Sequence, residues 1–267
     1  LGSGFDNVIK IPWDESGRMR IDKLQEEIER TRTNGQTPFC VIATAGTTVR
    51  GAFDPIKEIA ETCSDNDIWL HVDAAWGGSC MFSTKHRELM DGVELADSVC
   101  WDAHKMMGVP LVCSAFLIKK PEILRKVCSH GDVAHYLFHG DSEDVDIGRI
   151  SLQCGRRNDA LKLFLAWREK GDAGWARLVD SYVDLADHLQ SLVEADEKLE
   201  MVSSRVWSNV CMRYVVEGFD LNDINFQIRE RMMREGRFMV SSSKVGDIVI
   251  PVSYTHLRAH ETPEQRV

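Results

Sequence analysis

Lys105 closes the polar run Asp102-Ala103-His104-Lys105, which lies between two apolar stretches, 98–101 and 112–118. A lysine between buried strands is costly unless it has a partner or a task. One such task is Schiff-base formation with a carbonyl, open to an amine whose surroundings disfavour the ammonium form. Asp73 stands at the end of another apolar run, 68–72. A carboxylate there, in the same crevice, can hold a pyridinium nitrogen protonated. Pyridoxal phosphate needs both partners, a lysine for its aldehyde and an acid for its ring nitrogen. The small Ala74 and Ala75 leave room for a flat ring, and hydroxyls and glycine amides near strand ends can hold a phosphate. Spacing alone leaves a second reading open, because a lysine after a strand is ordinarily solvated and an aspartate ordinarily caps a turn.

The elements that must position these residues are legible in outline. Residues 21–33 carry Ile21, Leu24 and Ile28 at helical spacing. A short strand over 38–43 leads into the small-residue turn 44–48. Asp54 and Pro55 then start a helix, with Asp54 as cap and Pro55 at its first position. Ile56, Ile59 and Ala60 face inward on that helix. A strand over 68–72 ends at Asp73, a glycine turn follows at 76–78, and 84–92 reads as helical. Strands at 98–101 and 112–118 bracket the polar run. Strands alternating with helices, and apolar on both faces, predict an α/β fold with a mostly parallel sheet sandwiched by helices. In such sheets ligands bind where strands end, and Thr47, Thr48, Asp73, His104 and Lys105 all fall there. Residues 158–195 are strongly helical and broken into two helices at Gly171 and Gly174. Beyond 196 the pattern changes to a strand over 206–216, a helix over 221–235 ended by Gly236, and a strand over 238–242.

The chain has 267 residues, 43% hydrophobic and 28% charged, with a net charge of −10. That balance, with no basic run, argues against a nucleic-acid partner. No apolar stretch is long enough to cross a membrane, and no signal peptide is expected. Eight cysteines occur without a C-x-x-C pair, several of them inside apolar runs. They read as free thiols in a reducing cytoplasm. His135 and His139 have an i,i+4 spacing, but no glutamate follows the first and no third ligand is evident, so no metal site is expected.

Four segments carry a resemblance: T-A-G-T-T-V-x-G-A-F-D-P-I (44–56), W-L-H-V-D-A-A-W-G-G (69–78), A-D-S-V-x-W-D-A-H-K-M-M-G-V-P-L-x-C-S-A (96–115) and Q-C-G-R-R-N-D-A-L-K-L-F-L-A-W (153–167). In this order they resemble the pyridoxal-phosphate group II amino-acid decarboxylases, the glutamate and cysteine-sulfinate decarboxylase group. The resemblance implies the aspartate aminotransferase-like fold type I of PLP-dependent transferases, with pyridoxal 5'-phosphate as cofactor. It implies Lys105 as the Schiff-base lysine, buried by that bond, and Asp73 as the partner of the pyridinium nitrogen. His104 would contact the phosphate, Ala75 would lie under the ring, Thr48 would sit beside the cofactor, and His71 would support Asp73 from behind. Tyr136 matches a tyrosine of the family's mobile loop, where it would act as general acid after carbon dioxide leaves. A homodimer is also implied.

The implied activity is α-decarboxylation of a small acidic amino acid (glutamate, aspartate or cysteine sulfinate) through a Schiff base and a quinonoid. The alternatives are an aromatic amino-acid decarboxylase or an inactive fragment. The chain departs from the family at Asp102-Ala103, where Asn-Pro is usual. The family's ring-stacking residue and part of its phosphate cup precede the position of Leu1, and its substrate-carboxylate arginine follows Ile250. The expected division is therefore 1–195, the C-terminal part of a large cofactor domain; 196–250, a truncated small α+β domain; and 251–267, a non-native tail. That tail, PVSYTHLRAHETPEQRV, resembles translated sequencing adapter and shows neither helical nor strand periodicity.

Overall fold

Cys40-Val41-Ile42-Ala43-Thr44 alternates sides along an extended chain and forms strand β1 (Cys40–Thr44). The computed structural model describes residues 4–128, 147–153, 155–236 and 240–254. In it β1 pairs in parallel with β2 (Trp69–Asp73), and β2 pairs in parallel with β3 (Ser98–Asp102). Strand β4 (Ser114–Ile118) pairs antiparallel with β3 and forms the sheet's edge. The mostly parallel sheet anticipated from the sequence is present. The turn after β3 sends β4 back alongside it, because no crossover helix separates the two.

One face of this sheet is packed. Val41, Ala43, Leu70 and Val72 are buried in a core shared with Leu24 and Ile28 of α1 (Ile21–Thr33). Ile56, Ile59, Ala60 and Cys63 of α2 (Ile56–Asp65) join the same core. Helix α3 (Pro121–Cys128) follows β4, and α4 (Asp159–Glu194) contributes Trp175, Val179 and Val183. The alternate positions are more open, and Ile42 is 60% exposed. The second face of β1 is therefore apolar at Ile42 but open rather than packed. β2 and β3 place His71, Asp73, Cys100 and Asp102 among their alternate positions, which are only partly buried.

Asp54 does not cap α2. The helix begins at Ile56 with Pro55 at the cap position. The Asp54 carboxylate instead accepts hydrogen bonds from the backbone N–H of Thr44 at 2.7 Å and of Met19 at 2.6 Å. It ties the end of β1 to the segment before α1. Burial raises its pKa, and the two backbone donors oppose that shift. Asp54→Ala leaves both N–H groups without an acceptor but also removes a half-buried charge. The net loss is expected to be about 2 kcal/mol by urea unfolding. A loss within about 0.5 kcal/mol, the range of an ordinary surface substitution, would refute the tie.

The long helical run kinks at Gly171, where φ is 63° and ψ 174°. The kink divides the run into two helices, as expected, with the break at Gly171 alone, since Gly174 is helical. Residues 84–92 form only a 3-10 turn, Arg87–Met90, rather than a helix. The second sheet has the order β5 (Leu199–Met201), β6 (Asn209–Tyr214), β8 (Ile248–Tyr254), β7 (Ser241–Val245). Helix α5 (Leu221–Glu235) packs against it. Asp220 caps α5 by accepting from the N–H of Asn222 at 2.8 Å, and Gly236 ends it in a left-handed conformation. Strand β8 runs on to Tyr254, through positions expected to lack strand character. Its partner register there is Pro251 with Ser242 and Val252 with Cys211, and Ile250 is fully buried. Each described cysteine is a free thiol. Among the described residues no helix is long and apolar enough to cross a membrane.

Candidate active site

Two carboxylates stand at the carboxyl ends of neighbouring parallel strands. Asp73 ends β2, Asp102 ends β3, and the register sets Asp73 opposite Cys100. Cys100 and Asp102, two residues apart, share a face of β3. The Cys100 thiol donates to Asp73 Oδ1 at 3.4 Å. Burial pushes this thiol up to about 11, and the charges of Asp73 and Asp102 add to the shift. A protonated thiol therefore stands beside both carboxylates. Asp73 Oδ1 also accepts from the Ala75 N–H at 3.1 Å, which fixes the acid against the small residues that follow it.

The chain leaves β3 in a tight turn. The Lys105 N–H donates to the Asp102 carbonyl at 3.0 Å, and that of Val109 to the Ala103 carbonyl at 3.2 Å. Ala103, Met106, Met107 and Val109 are buried around it, so the backbone carrying Lys105 is held by packing on both sides. The Lys105 side chain itself is 38% exposed and pairs with Asp102, Nζ to Oδ2 at 3.0 Å. The lysine is thus not buried as expected. Its partner is the carboxylate that distinguishes this chain from the usual Asn-Pro pattern. The Lys105–Asp102 pair and the Cys100–Asp73 pair stand in one row at the carboxyl ends of β3 and β2.

His104 packs its Nδ1 against the backbone of Cys113, 2.9 Å from the carbonyl oxygen and 3.2 Å from the nitrogen. Its Nε2 is 3.8 Å from Asp102 Oδ2. His71 is bound at Nδ1 to the Ser98 hydroxyl at 2.8 Å, and its ring stacks on Phe116 at 5.7 Å. Burial lowers its pKa against the opposing pull of Asp73, which favours a neutral imidazole. Its hydrogen bond runs to Ser98, where support of Asp73 was expected. Thr48 lies in the turn after β1, on the far side of β2 from Lys105. Gly46 makes that turn possible, because its φ is 80° and a Cβ there would come within 2.7 Å of Gly77. Tyr136, His135 and His139 lie outside the described residues. Among the described residues no group of three His, Cys, Asp or Glu side chains is placed to hold a metal.

The "pyridoxal-dependent decarboxylase conserved domain" matches residues 3–215. The chain belongs to the pyridoxal-dependent decarboxylase family. It is 41% identical over 254 residues to human cysteine sulfinic acid decarboxylase, covering 90% of this chain and 51% of that protein. Mouse CSAD in its apo form superposes with a TM-score of 0.88 at 35% identity, over 96% of this chain and 55% of that one. Oryza sativa TDC, solved with PLP and tryptamine, superposes with a TM-score of 0.91 at 27% identity, over 97% of this chain and 55% of that one. The chain spans about half the length of the curated relatives it matches. Its α/β architecture is that of fold type I, and pyridoxal phosphate is the family's cofactor.

The residues of this decarboxylase-family chain fit that cofactor. A primary amine and a carboxylate stand on one row at the carboxyl edge of a parallel sheet, and small residues follow the acid. Sequence reading missed Cys100, Ser98 and Asn209 as members of the site's surroundings. The alternation Ser98, Cys100, Asp102 was a usable signal for the first two. Asn209 carried no local signal, since its partners lie 133 and 161 positions away.

Proposed function

We propose that the protein carrying this chain removes the α-carboxylate of a small acidic amino acid, with cysteine sulfinate ahead of glutamate and aspartate. The observation that carries the reading is the amine-to-carboxylate row, Lys105 to Asp73, in a chain 41% identical to human cysteine sulfinic acid decarboxylase. When bound, pyridoxal phosphate supplies an electron sink for the carbanion left by decarboxylation. In this reading Lys105 anchors the aldehyde and Asp73 keeps the ring nitrogen charged. Thr48, His71 and His104 shape the walls, and Ala75 gives the ring a flat seat. Tyr136 returns a proton to the α-carbon. A homodimer, a cytoplasmic location and the division at 195 and 250 belong to the same reading. An aromatic substrate is less favoured, since identity to the tryptamine-bound rice protein is 27%.

Two measurements on the intact protein test this. Borohydride reduction in the presence of pyridoxal phosphate, followed by peptide mapping, is expected to leave a pyridoxyl group on Lys105. Carbon dioxide release is expected to be fastest from cysteine sulfinate in a panel with glutamate, aspartate and tryptophan. A label on another lysine, or turnover of tryptophan alone, defeats the proposal.

A further inference from the structure

Asn209 is 1% exposed and opens β6, in the second sheet, yet its side chain spends every hydrogen bond shown for it on the first. Its Oδ1 accepts from the indole Nε1 of Trp76 at 2.9 Å. Its Nδ2 donates to the carbonyls of Thr48 at 2.9 Å and Val49 at 3.2 Å. Trp76 directly follows Ala75, and Thr48 occupies the turn after β1. The turn closes tightly on the amide. Gly51 has a φ of 64°, and a Cβ there would lie 2.8 Å from Asn209 Oδ1. Two residues further along β6, the Cys211 thiol donates to the Val49 carbonyl at 3.2 Å. The indole ring of Trp207, just before β6, meets Phe53 edge-on at 6.0 Å.

The chemistry required at 209 is specific. One acceptor must face an indole N–H and two donors must face carbonyls, all on a side chain short enough to fit beside Gly51. A carboxylate supplies the acceptor and no donor, and an aliphatic side chain supplies neither. General glue between two sheets needs no such arrangement, since apolar contacts such as Phe53 with Trp207 provide it. We infer that Asn209 is a positioning residue, by which the second sheet sets the two segments that carry Thr48 and Ala75. It touches neither cofactor nor substrate and acts through Thr48, Val49 and Trp76. This rests on the reading of Thr48 and Ala75 as cofactor-facing residues.

The test measures pyridoxal phosphate dissociation constants for the intact wild-type protein and for Asn209→Asp, Asn209→Leu and Val210→Ala. Val210 is fully buried in the same strand and serves as a control for lost stability. Asn209→Leu is expected to weaken cofactor binding about ten-fold or more, since all three hydrogen bonds disappear. Asn209→Asp retains the acceptor, and its carboxyl regains one donor when protonated. At a position 1% exposed and facing two carbonyl oxygens, burial raises that carboxyl's pKa, so its deficit relative to wild type is expected to shrink between about pH 8 and about pH 6. Val210→Ala is expected to bind within about two-fold of wild type. The inference is overturned if both Asn209 variants bind as wild type does, if the Asn209→Asp deficit is the same at both pH values, or if Val210→Ala weakens binding equally. Failure of both Asn209 variants to fold also rejects it, because a positioning role leaves the core intact. A wild-type protein that takes up no pyridoxal phosphate removes the underlying functional reading instead, so the two failures are distinguishable.

Discussion

Lys105→Ala is expected to lower decarboxylation by about 10³-fold or more and to abolish the borohydride-stable label, because the only atom removed from the row that can bond covalently to an aldehyde is Nζ. Stability should barely change. The Lys105 side chain is 38% exposed and only its partner Asp102 is largely covered, so losing the pair costs about 1 kcal/mol. The turn backbone does not depend on the side chain, since Ala103, Met106, Met107 and Val109 hold it by burial. Lys105→Arg separates charge from nucleophilicity. A guanidinium keeps a cation beside Asp102 but forms no Schiff base under these conditions. It is expected to be as inactive as the alanine variant. Substantial activity in Lys105→Arg, or retention of a pyridoxyl label on the same peptide in Lys105→Ala, would show that the lysine only balances the Asp102 charge.

The parts of this site readable in the sequence are those that local chemistry dictates. Helix α1 announces itself through Ile21, Leu24 and Ile28, and α5 ends at Gly236 because a left-handed residue is cheapest there as glycine. Lys105 and Asp73 stood out because charged groups interrupt apolar runs only for a reason. What stayed hidden depends on distant partners. Asp54 has the pattern of a cap, but two backbone donors from before α1 and from β1 capture its carboxylate. A strand as short as β5 carries too few residues for a periodicity. Lys105 was expected to be buried because its flanking runs are apolar, yet those runs bury the turn's backbone and methionines while the amine reaches Asp102. The alternation of β2 was obscured because Trp69 counts as apolar wherever it faces. Asn209 could not be found at all by local pattern, since a polar residue at a strand start is ordinary and its partners are far away in the chain.

Asp73→Asn isolates the second charge of the row. The asparagine Oδ1 can still accept from the Ala75 N–H and from the Cys100 thiol, the two bonds that hold Asp73 in place. Stability should therefore stay within about 1 kcal/mol of wild type. Activity is expected to fall by about 10³-fold, because a neutral amide no longer stabilises a protonated ring nitrogen where charge develops. Cys100 offers a readout independent of cofactor. Burial is the main reason its thiol is pushed up to about 11, and the negative charge of Asp73 is the next cause. Removing that charge makes the thiolate easier to form, so the pH profile for Cys100 alkylation is expected to move to lower pH in Asp73→Asn. Asp102 remains and continues to raise the value, so the profile should stop short of that of an exposed thiol. An unmoved alkylation profile would mean that Asp73 carries no charge in the folded protein, and a carboxyl already neutral cannot hold a pyridinium. A shifted profile with full activity would place the ring's partner elsewhere. Only the combination of a shifted thiol and a lost reaction ties the Asp73 charge to the chemistry.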